Sequence, residues 1–217
     1  MIFTDRFVYV HQPKTGGTFV TSVLFRLHDF RWTRWTHLQS AFRGSLVHRN
    51  RYGTFVYNNH KHGGRAAIPA AQRHKPVLAT ARNPYDLYVS QYEFGWWKRR
   101  EYRRWFRPDL SFEEYVRVAG EAFGPLAQQF LRFHDGRVDD VRFVTTDRLN
   151  EGLHDFLAET GYAAEDIAFV RELPKILPKG KGRHSEQTWE KFYTPELKQL
   201  VRTREHDLFT LFPQFDV

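Results

Sequence analysis

The chain has 217 residues and is 41% hydrophobic, which suffices for one compact domain with a buried core, and we predict a single domain over residues 1–217. A formal net charge of +8 favours anionic partners, among which nucleic acid, acidic membrane surfaces, phosphorylated cofactors and acidic glycans all fit. The absence of cysteine excludes disulfide bonds, thiolate metal sites and cysteine nucleophiles, so other side chains must carry any chemistry.

The sequence contains no apolar run near the roughly 20 residues that span a bilayer, and its first residues lack the apolar core of a signal peptide. A cytoplasmic protein is therefore the simplest expectation. A luminal domain trimmed of a membrane anchor would give the same pattern.

The first unit predicted along the chain is a strand, a glycine-rich turn and a helix. Residues 7–11 form a short β-branched and aromatic run that is typical of a strand. Residues 13–18 follow with a proline and two adjacent glycines, and we call them the glycine turn. The next apolar residues recur at helical spacing and form one stripe, which consists of Phe19, Val20, Val23, Leu24 and Leu27.

Strand and helix patterns alternate along the rest of the chain. Strands are predicted at residues 54–57, 76–81 and 140–144, and helices are predicted to open at Asn83, Asp147 and Thr194. This alternation predicts an α/β fold of three layers, with a mostly parallel central sheet and helices on both faces. Residues 31–52 and 173–183 follow neither period and are predicted to be loops.

The glycine turn has the form of an anion-binding site. Between a strand and a helix, such a turn points backbone N–H groups into one concavity, and the positive end of the helix dipole adds to the attraction. The common nucleotide-hydrolase pattern places lysine after the glycines, whereas Lys14 precedes Gly16 and Gly17 here.

Three segments together form a more specific pattern. Arg82 stands at a strand end, and Ser90 lies about two turns into the helix that follows it. A late basic stretch contains Lys179, Lys181 and Arg183. With the glycine turn, these segments resemble the sulfotransferases that use 3′-phosphoadenosine 5′-phosphosulfate (PAPS), in particular the carbohydrate sulfotransferases.

The resemblance implies a P-loop NTPase-like sulfotransferase fold and transfer of a sulfuryl group from PAPS to a hydroxyl, which releases adenosine 3′,5′-bisphosphate (PAP) and requires no metal. It implies that Arg82 and Ser90 hold the 3′-phosphate and that the late basic stretch also contacts the donor. Lys14 would stabilise the charge that develops on the leaving phosphate. The amides and hydroxyls of the turn would hold the 5′-phosphate, from Thr15, Gly16, Gly17 and Thr18.

The acceptor hydroxyl must lose its proton to a base, for which histidine is the usual candidate near neutral pH. His60 and His62 follow the strand at 54–57, and in extended backbone their side chains point to one face. The resemblance to carbohydrate sulfotransferases favours His60, with His62 as the second candidate. Two other interpretations of the pair stay open: a metal site without an evident third ligand, and an exposed pair with no catalytic role.

Residues 96–107 alternate aromatic residues with arginines. Placed on a helix, the arginines fall on one face and the aromatics roughly opposite, which suits either an acidic polymer or simple solvation. The tryptophans and the basic charge favour a carbohydrate, including an acidic glycan, or another flat, anionic molecule as the acceptor. A lipid, a peptide and a small alcohol stay open as alternatives.

Two other functions compete with sulfuryl transfer. A P-loop kinase would require a magnesium-binding acid and a lysine after the glycines, and neither is apparent. A nucleic-acid-binding protein would suit the charge and the aromatic–arginine segment, but it would leave both phosphate motifs unexplained.

Overall fold

The computed structural model describes residues 1–31, 33, 36, 38, 42, 44–174, 176 and 188–217. They divide into two compact units. The first, which we call the sheet unit, comprises Met1–Ala81 with Phe133–Ile176, and the second, the helical unit, comprises Arg82–Arg132 with Leu177–Val217. Whether the two form one domain, as the length suggests, stays a prediction.

The sheet unit contains a six-stranded sheet in the order β3-β4-β1-β2-β5-β6. Its strands are β1 (Ile2–Thr4), β2 (Val8–Val10), β3 (Ser45–Asn50), β4 (Gly53–Asn58), β5 (Val77–Ala81) and β6 (Val141–Thr145). The pairs β2–β5 and β5–β6 are parallel, and the pairs β1–β2, β1–β4 and β3–β4 are antiparallel. The α/β class is confirmed, but the sheet is mixed, and the prediction of a mostly parallel sheet holds only for β2, β5 and β6.

Two strands were not predicted. Strand β1 has three residues, too few to display a period, and strand β3 lies within the predicted loop at residues 31–52. Only Leu46 of β3 is buried, because β3 is an edge strand that packs one apolar side chain inward. The loop prediction is therefore wrong for Ser45–Asn50, which pairs along its whole length with β4.

The described α-helices are α1 (Gly17–Leu27), α2 (Pro84–Phe94), α3 (Phe112–Phe123), α4 (Leu126–Phe133), α5 (Leu149–Glu159), α6 (Ala164–Ile167), α7 (Phe169–Glu172), α8 (Pro195–Arg204) and α9 (His206–Leu211). No helix in the described ranges is both long and apolar enough to cross a bilayer.

Both faces of the sheet pack against buried apolar residues. Successive strand residues point to opposite faces, so Phe7 and Tyr9 join one core while Val8 and Val10 join the other. The whole predicted stripe of α1 is buried in the first core, together with residues of α5. This packing fixes the start of α1, and with it the glycine turn, above the end of β2.

The helical unit confirms two predicted helix starts. Asn83 accepts a hydrogen bond from the Tyr85 amide at 2.9 Å, with Pro84 in the first turn, and Thr194 caps α8 in the same way. The helix expected to open at Asp147 begins at Leu149 instead, after a single 3-10 turn in the sheet unit. The terminal helix is interrupted at Glu205, whose buried carboxylate accepts hydrogen bonds from the Tyr88 hydroxyl and the Ala127 amide.

The continuous helix expected at residues 96–107 is wrong. Gly95 adopts a left-handed conformation (φ 67°) and ends α2, and Arg99 is extended. Short 3-10 turns at Trp96–Lys98 and Arg100–Tyr102 replace the helix. The interruption lets Trp97 and Phe106 both turn inward and become buried.

Candidate active site

The backbone of the glycine turn is bent twice into the left-handed region. Lys14 has φ 67° and Gly16 has φ 90°, and α1 begins at Gly17 directly afterwards. Glycine adopts this conformation without strain, but a residue with a side chain does so at a cost of roughly 1–2 kcal/mol. The surrounding structure therefore holds Lys14 in an unfavourable conformation, which is common at sites that bind ligands.

The first amides of α1 are suited to an anion. The Phe19 amide bonds to the Gly16 carbonyl at 3.0 Å, so the amides of Gly17 and Thr18, which precede it, have no acceptor within the helix. The first turn of α1 contains no acidic residue that would oppose a negative ligand. The helix start can donate hydrogen bonds to a phosphate and contribute the positive end of its dipole.

Thr15 stabilises the backbone of the glycine turn. It is fully buried, and its hydroxyl donates to the Gln12 carbonyl at 2.9 Å and lies 2.6 Å from the Thr80 hydroxyl of β5. The Thr15 hydroxyl proton is therefore committed within the protein, and only its amide is left for the predicted contact with a phosphate. The bond to Thr80 ties the turn to the end of β5.

His11 supports the turn from below. The residue is buried, and a Cβ atom added at Gly17 would overlap the His11 ring. Burial, with smaller contributions from Lys61 and His62, lowers the pKa of His11 to about 2, so the ring is neutral at working pH. Gly17 is thus required by space, since only a residue without a side chain lets the helix start approach this ring.

His62 contacts His11, whereas no described contact joins His60 to His11. The His62 Nδ1 atom is 3.2 Å from the His11 carbonyl oxygen, and the two rings meet edge to face with centroids 4.7 Å apart. The residue as a whole remains exposed, but partial burial of the ring, assisted by Lys61, lowers the pKa of His62 below 6.5. His60 is exposed, and its backbone amide bonds to the Asn58 side chain at 2.8 Å.

The turn lies at the edge of the sheet where the parallel strands end. A Cβ atom at Gly16 would come within 2.8 Å of Leu149, which follows β6, and Thr15 bonds to Thr80 near the end of β5. In open α/β sheets, ligands bind outside the carboxyl ends of the strands. Arg82 follows Ala81, the last residue of β5, directly in the chain.

In the helical unit, Arg82 is held by a charged neighbour. Its Nε atom donates to the Asp86 carboxylate at 2.6 Å, and both side chains are largely buried. Ser90 lies one helical turn beyond Asp86, so these two side chains share one face of α2. Asp86 therefore orients the predicted phosphate-binding arginine.

Several residues of the predicted site lie outside the described part of the chain. Lys179, Lys181 and Arg183 lie in the part of the chain that the structure leaves undescribed, as does most of the loop predicted at residues 173–183. Across the described ranges, no group of three or more His, Asp or Glu side chains is arranged as metal ligands would be. Sequence reasoning missed Thr80, although a threonine in the otherwise apolar strand β5 was a visible signal.

No protein-family model matches the sequence, and no curated protein matches it. Among solved structures, the fold is similar to that of mouse sulfotransferase SULT7A1, which was determined in complex with PAP. The match has a TM-score of 0.55 at 13% sequence identity, and it covers 92% of this chain and 82% of the mouse chain. The predicted sulfotransferase fold is thereby confirmed.

Proposed function

We propose that this chain, which has a sulfotransferase fold, is an enzyme that transfers the sulfuryl group of PAPS to an acceptor hydroxyl. The observation that carries the proposal is the glycine turn, whose two left-handed residues and free first-turn amides lie at the carboxyl edge of β2, β5 and β6. The PAP bound by the mouse protein of the same fold supports the choice of donor.

The two phosphate motifs divide the donor between them in this proposal. The amides of Gly16, Gly17 and Thr18 hold the 5′-phosphate, and Arg82 with Ser90 holds the 3′-phosphate. An arginine that is already oriented by Asp86 loses little freedom when it binds a phosphate, and its fork can donate two hydrogen bonds at once. The basic residues Lys179, Lys181 and Arg183 are proposed to add contacts to the donor.

The transfer itself needs one cation and one base. The bond between sulfur and the bridging phosphate oxygen breaks while the acceptor oxygen forms a new bond to the same sulfur, and the phosphate leaves as part of PAP. Lys14 stabilises the negative charge on the bridging oxygen. The acceptor proton passes to a histidine, so charge and atoms balance without a metal.

We assign the base to His62 in preference to His60. Because Nδ1 of His62 faces a carbonyl oxygen, this nitrogen carries the proton and donates it in a hydrogen bond, which leaves Nε2 unprotonated and able to accept one. The lowered pKa keeps the ring neutral at pH 7. His62 also adjoins His11, which supports the glycine turn, whereas no described contact of His60 reaches the turn.

The acceptor is proposed to be a carbohydrate hydroxyl, on an acidic glycan in particular, because the protein is basic and carries six tryptophans. We propose a cytoplasmic location on the sequence pattern alone.

A thermal-shift comparison tests the donor assignment, because a ligand that binds only the folded state raises the unfolding temperature with its concentration. PAP should give a clear shift, and ATP with or without magnesium should give a weaker one. Incubation with sulfur-labelled PAPS and a panel of hydroxylated acceptors should then yield labelled product. A shift with magnesium-ATP equal to that with PAP would contradict the proposal and favour a kinase.

A further inference from the structure

A dense cluster of positive charge lies in the helical unit, in the segment that follows α2. Residues 98–107, which we call the arginine loop, contain one acidic residue, Glu101. The cations of the loop are all exposed, and they are Lys98, Arg99, Arg100, Arg103, Arg104 and Arg107. A cluster of this density is favourable only where solvent or a negative partner neutralises it.

The arginine loop is fixed from beneath by aromatic packing. Trp97, which directly precedes the loop, and Phe106, its last residue but one, are each 1% exposed. The Trp97 indole donates to the Tyr92 carbonyl at 3.0 Å, and the ring of Phe106 stacks on that of Phe123 with centroids 5.8 Å apart. The loop therefore presents its cations from an anchored backbone, so less ordering is needed when a partner binds.

The cations differ in whether they already contact other side chains of the protein. Arg107 bonds to Glu114 at 2.7 Å, and the Arg104 guanidinium lies 3.5 Å from the centre of the Trp105 ring. No acidic side chain of the described residues pairs with Arg99, Arg100 or Arg103. Because side chains three residues apart eclipse around a 3-10 turn, Arg100 and Arg103 lie on the same side of the turn at Arg100–Tyr102.

We propose that the arginine loop binds a polyanionic glycan, such as a sulfated or uronate-rich chain, through Arg99, Arg100 and Arg103. Guanidinium groups match sulfate and carboxylate with paired hydrogen bonds, and several of them on an anchored loop suit a polymer better than a single ion. The inference that the loop presents the acceptor rests on the proposed function. The inference that the loop binds a polyanion does not.

The burial of the aromatic rings favours a glycan over nucleic acid. Proteins that bind single-stranded nucleic acid stack bases on accessible rings, but Trp97 and Phe106 are buried here. Trp96, Tyr102 and Trp105 are half-buried and pack against one another or against Phe123. The described part of the loop thus offers charge without a platform for bases.

Binding of heparin, a sulfated polysaccharide, tests the proposal, and the probe is used without donor. The variant R99S/R100S/R103S is compared with R137S/R142S/R171S, which removes three exposed arginines from the sheet unit and changes the net charge equally. Within the described ranges, the side chains of the control arginines form surface ion pairs with Asp140, Glu159 and Asp155, whose loss costs little stability.

The loop variant should bind heparin at least about tenfold more weakly than the parent at moderate salt, and its affinity should depend less steeply on salt concentration. The control variant should stay within about twofold of the parent. Equal losses in both variants would overturn the proposal, since net charge alone would then explain binding. Tighter binding of a single-stranded oligonucleotide than of heparin would overturn it in favour of nucleic acid.

Thermal shifts of the parent and the loop variant with PAP separate this proposal from the enzyme assignment. The loop variant should keep the parent's thermal shift with PAP. Heparin binding that depends on the loop, in a protein that PAP does not stabilise, would contradict the donor assignment and leave the glycan site standing. A normal shift with PAP and unchanged heparin binding in the loop variant would contradict the glycan site and leave the donor assignment standing.

Discussion

The glycine turn and the segment at residues 82–90 are prepared for an anion in different ways. The turn offers backbone amides, while its Thr15 hydroxyl is buried and the ring of His11 lies beneath Gly17. The later segment offers side chains on a helix, with Arg82 oriented by the Asp86 carboxylate.

This difference predicts different sensitivities to mutation. A site built from amides cannot be removed by shortening a side chain, but it can be closed by adding one. A site built from side chains is removed by truncation and should tolerate small changes of backbone. The proposed chemistry also divides between them, because Lys14 and His62 belong to the turn and its surroundings while Arg82 only binds.

The largest effect is expected from His62→Ala. Loss of a general base lowers kcat by about 10²–10⁴-fold, while affinity for PAP should stay unchanged because the ring does not bind the donor. In the parent, the neutral imidazole is the active form. Since the His62 pKa lies below 6.5, kcat/KM should be level at pH 7 and fall tenfold per pH unit once the pH drops below that pKa.

His60→Ala is the matched control, as it removes an exposed histidine two residues away. Its rate and pH profile should match those of the parent. Should His60→Ala abolish the acid limb while His62→Ala retains it, the base assignment would pass to His60.

Lys14→Ala should lower kcat by about 10²–10³-fold, the usual loss when one group that stabilises transition-state charge is removed. Alanine has the same Cβ atom as lysine, so the left-handed strain is unchanged and the unfolding temperature should stay close to that of the parent. Single-turnover kinetics with PAPS measures the chemical step directly.

Lys14→Gly is the companion variant. Because glycine relieves the strain at φ 67°, it should be at least as stable as Lys14→Ala while being equally inactive. Normal turnover in either variant would exclude Lys14 from the mechanism.

Gly17→Ala should weaken PAP binding by about 10²-fold and lower the free energy of unfolding by about 1–3 kcal/mol, because the new methyl group overlaps the His11 ring. Isothermal titration with PAP and urea denaturation measure the two quantities. The double variant Gly17→Ala/His11→Ala removes the overlap and should recover part of the stability. If the double variant is no more stable than Gly17→Ala alone, space beneath the turn is not what requires glycine.

The parts of the fold that were predicted from sequence depend on local patterns. The α1 stripe, the Asn83 cap and strands β2, β4, β5 and β6 each follow from a run of neighbouring residues. The failures have equally local causes. Strand β1 is too short to show alternation, and β3 buries one side chain. In residues 96–107 the arginine spacing suggested a helix, although Gly95 was a visible stop signal.

In the candidate site, the motifs could be read from the sequence, whereas the contacts that support them could not. Lys14, Gly16 and Gly17 are neighbours in sequence, so their pattern could be recognised directly. The choice between His60 and His62 depends on the contact of His62 with His11, 51 residues away in the chain, which no local period encodes. The Thr15–Thr80 bond, across 65 residues, is of the same kind.

Arg82→Ala gives the smallest of the expected effects on turnover and tests the second half of the comparison. Removing a charged hydrogen-bonding group from a phosphate should weaken PAP binding by about 10–100-fold and raise KM for PAPS, with kcat changed only a few-fold, because in the proposed mechanism this arginine binds the 3′-phosphate and not the group that is transferred. Asp86→Asn should have a milder effect in the same direction, since the arginine remains but loses the charge that orients it. Initial rates over a range of PAPS concentrations separate kcat from KM. If Arg82→Ala instead lowers kcat as strongly as Lys14→Ala while leaving KM unchanged, Arg82 must stabilise the transition state. The proposed division, in which the glycine turn carries the chemistry and residues 82–90 only bind the donor, would then be wrong.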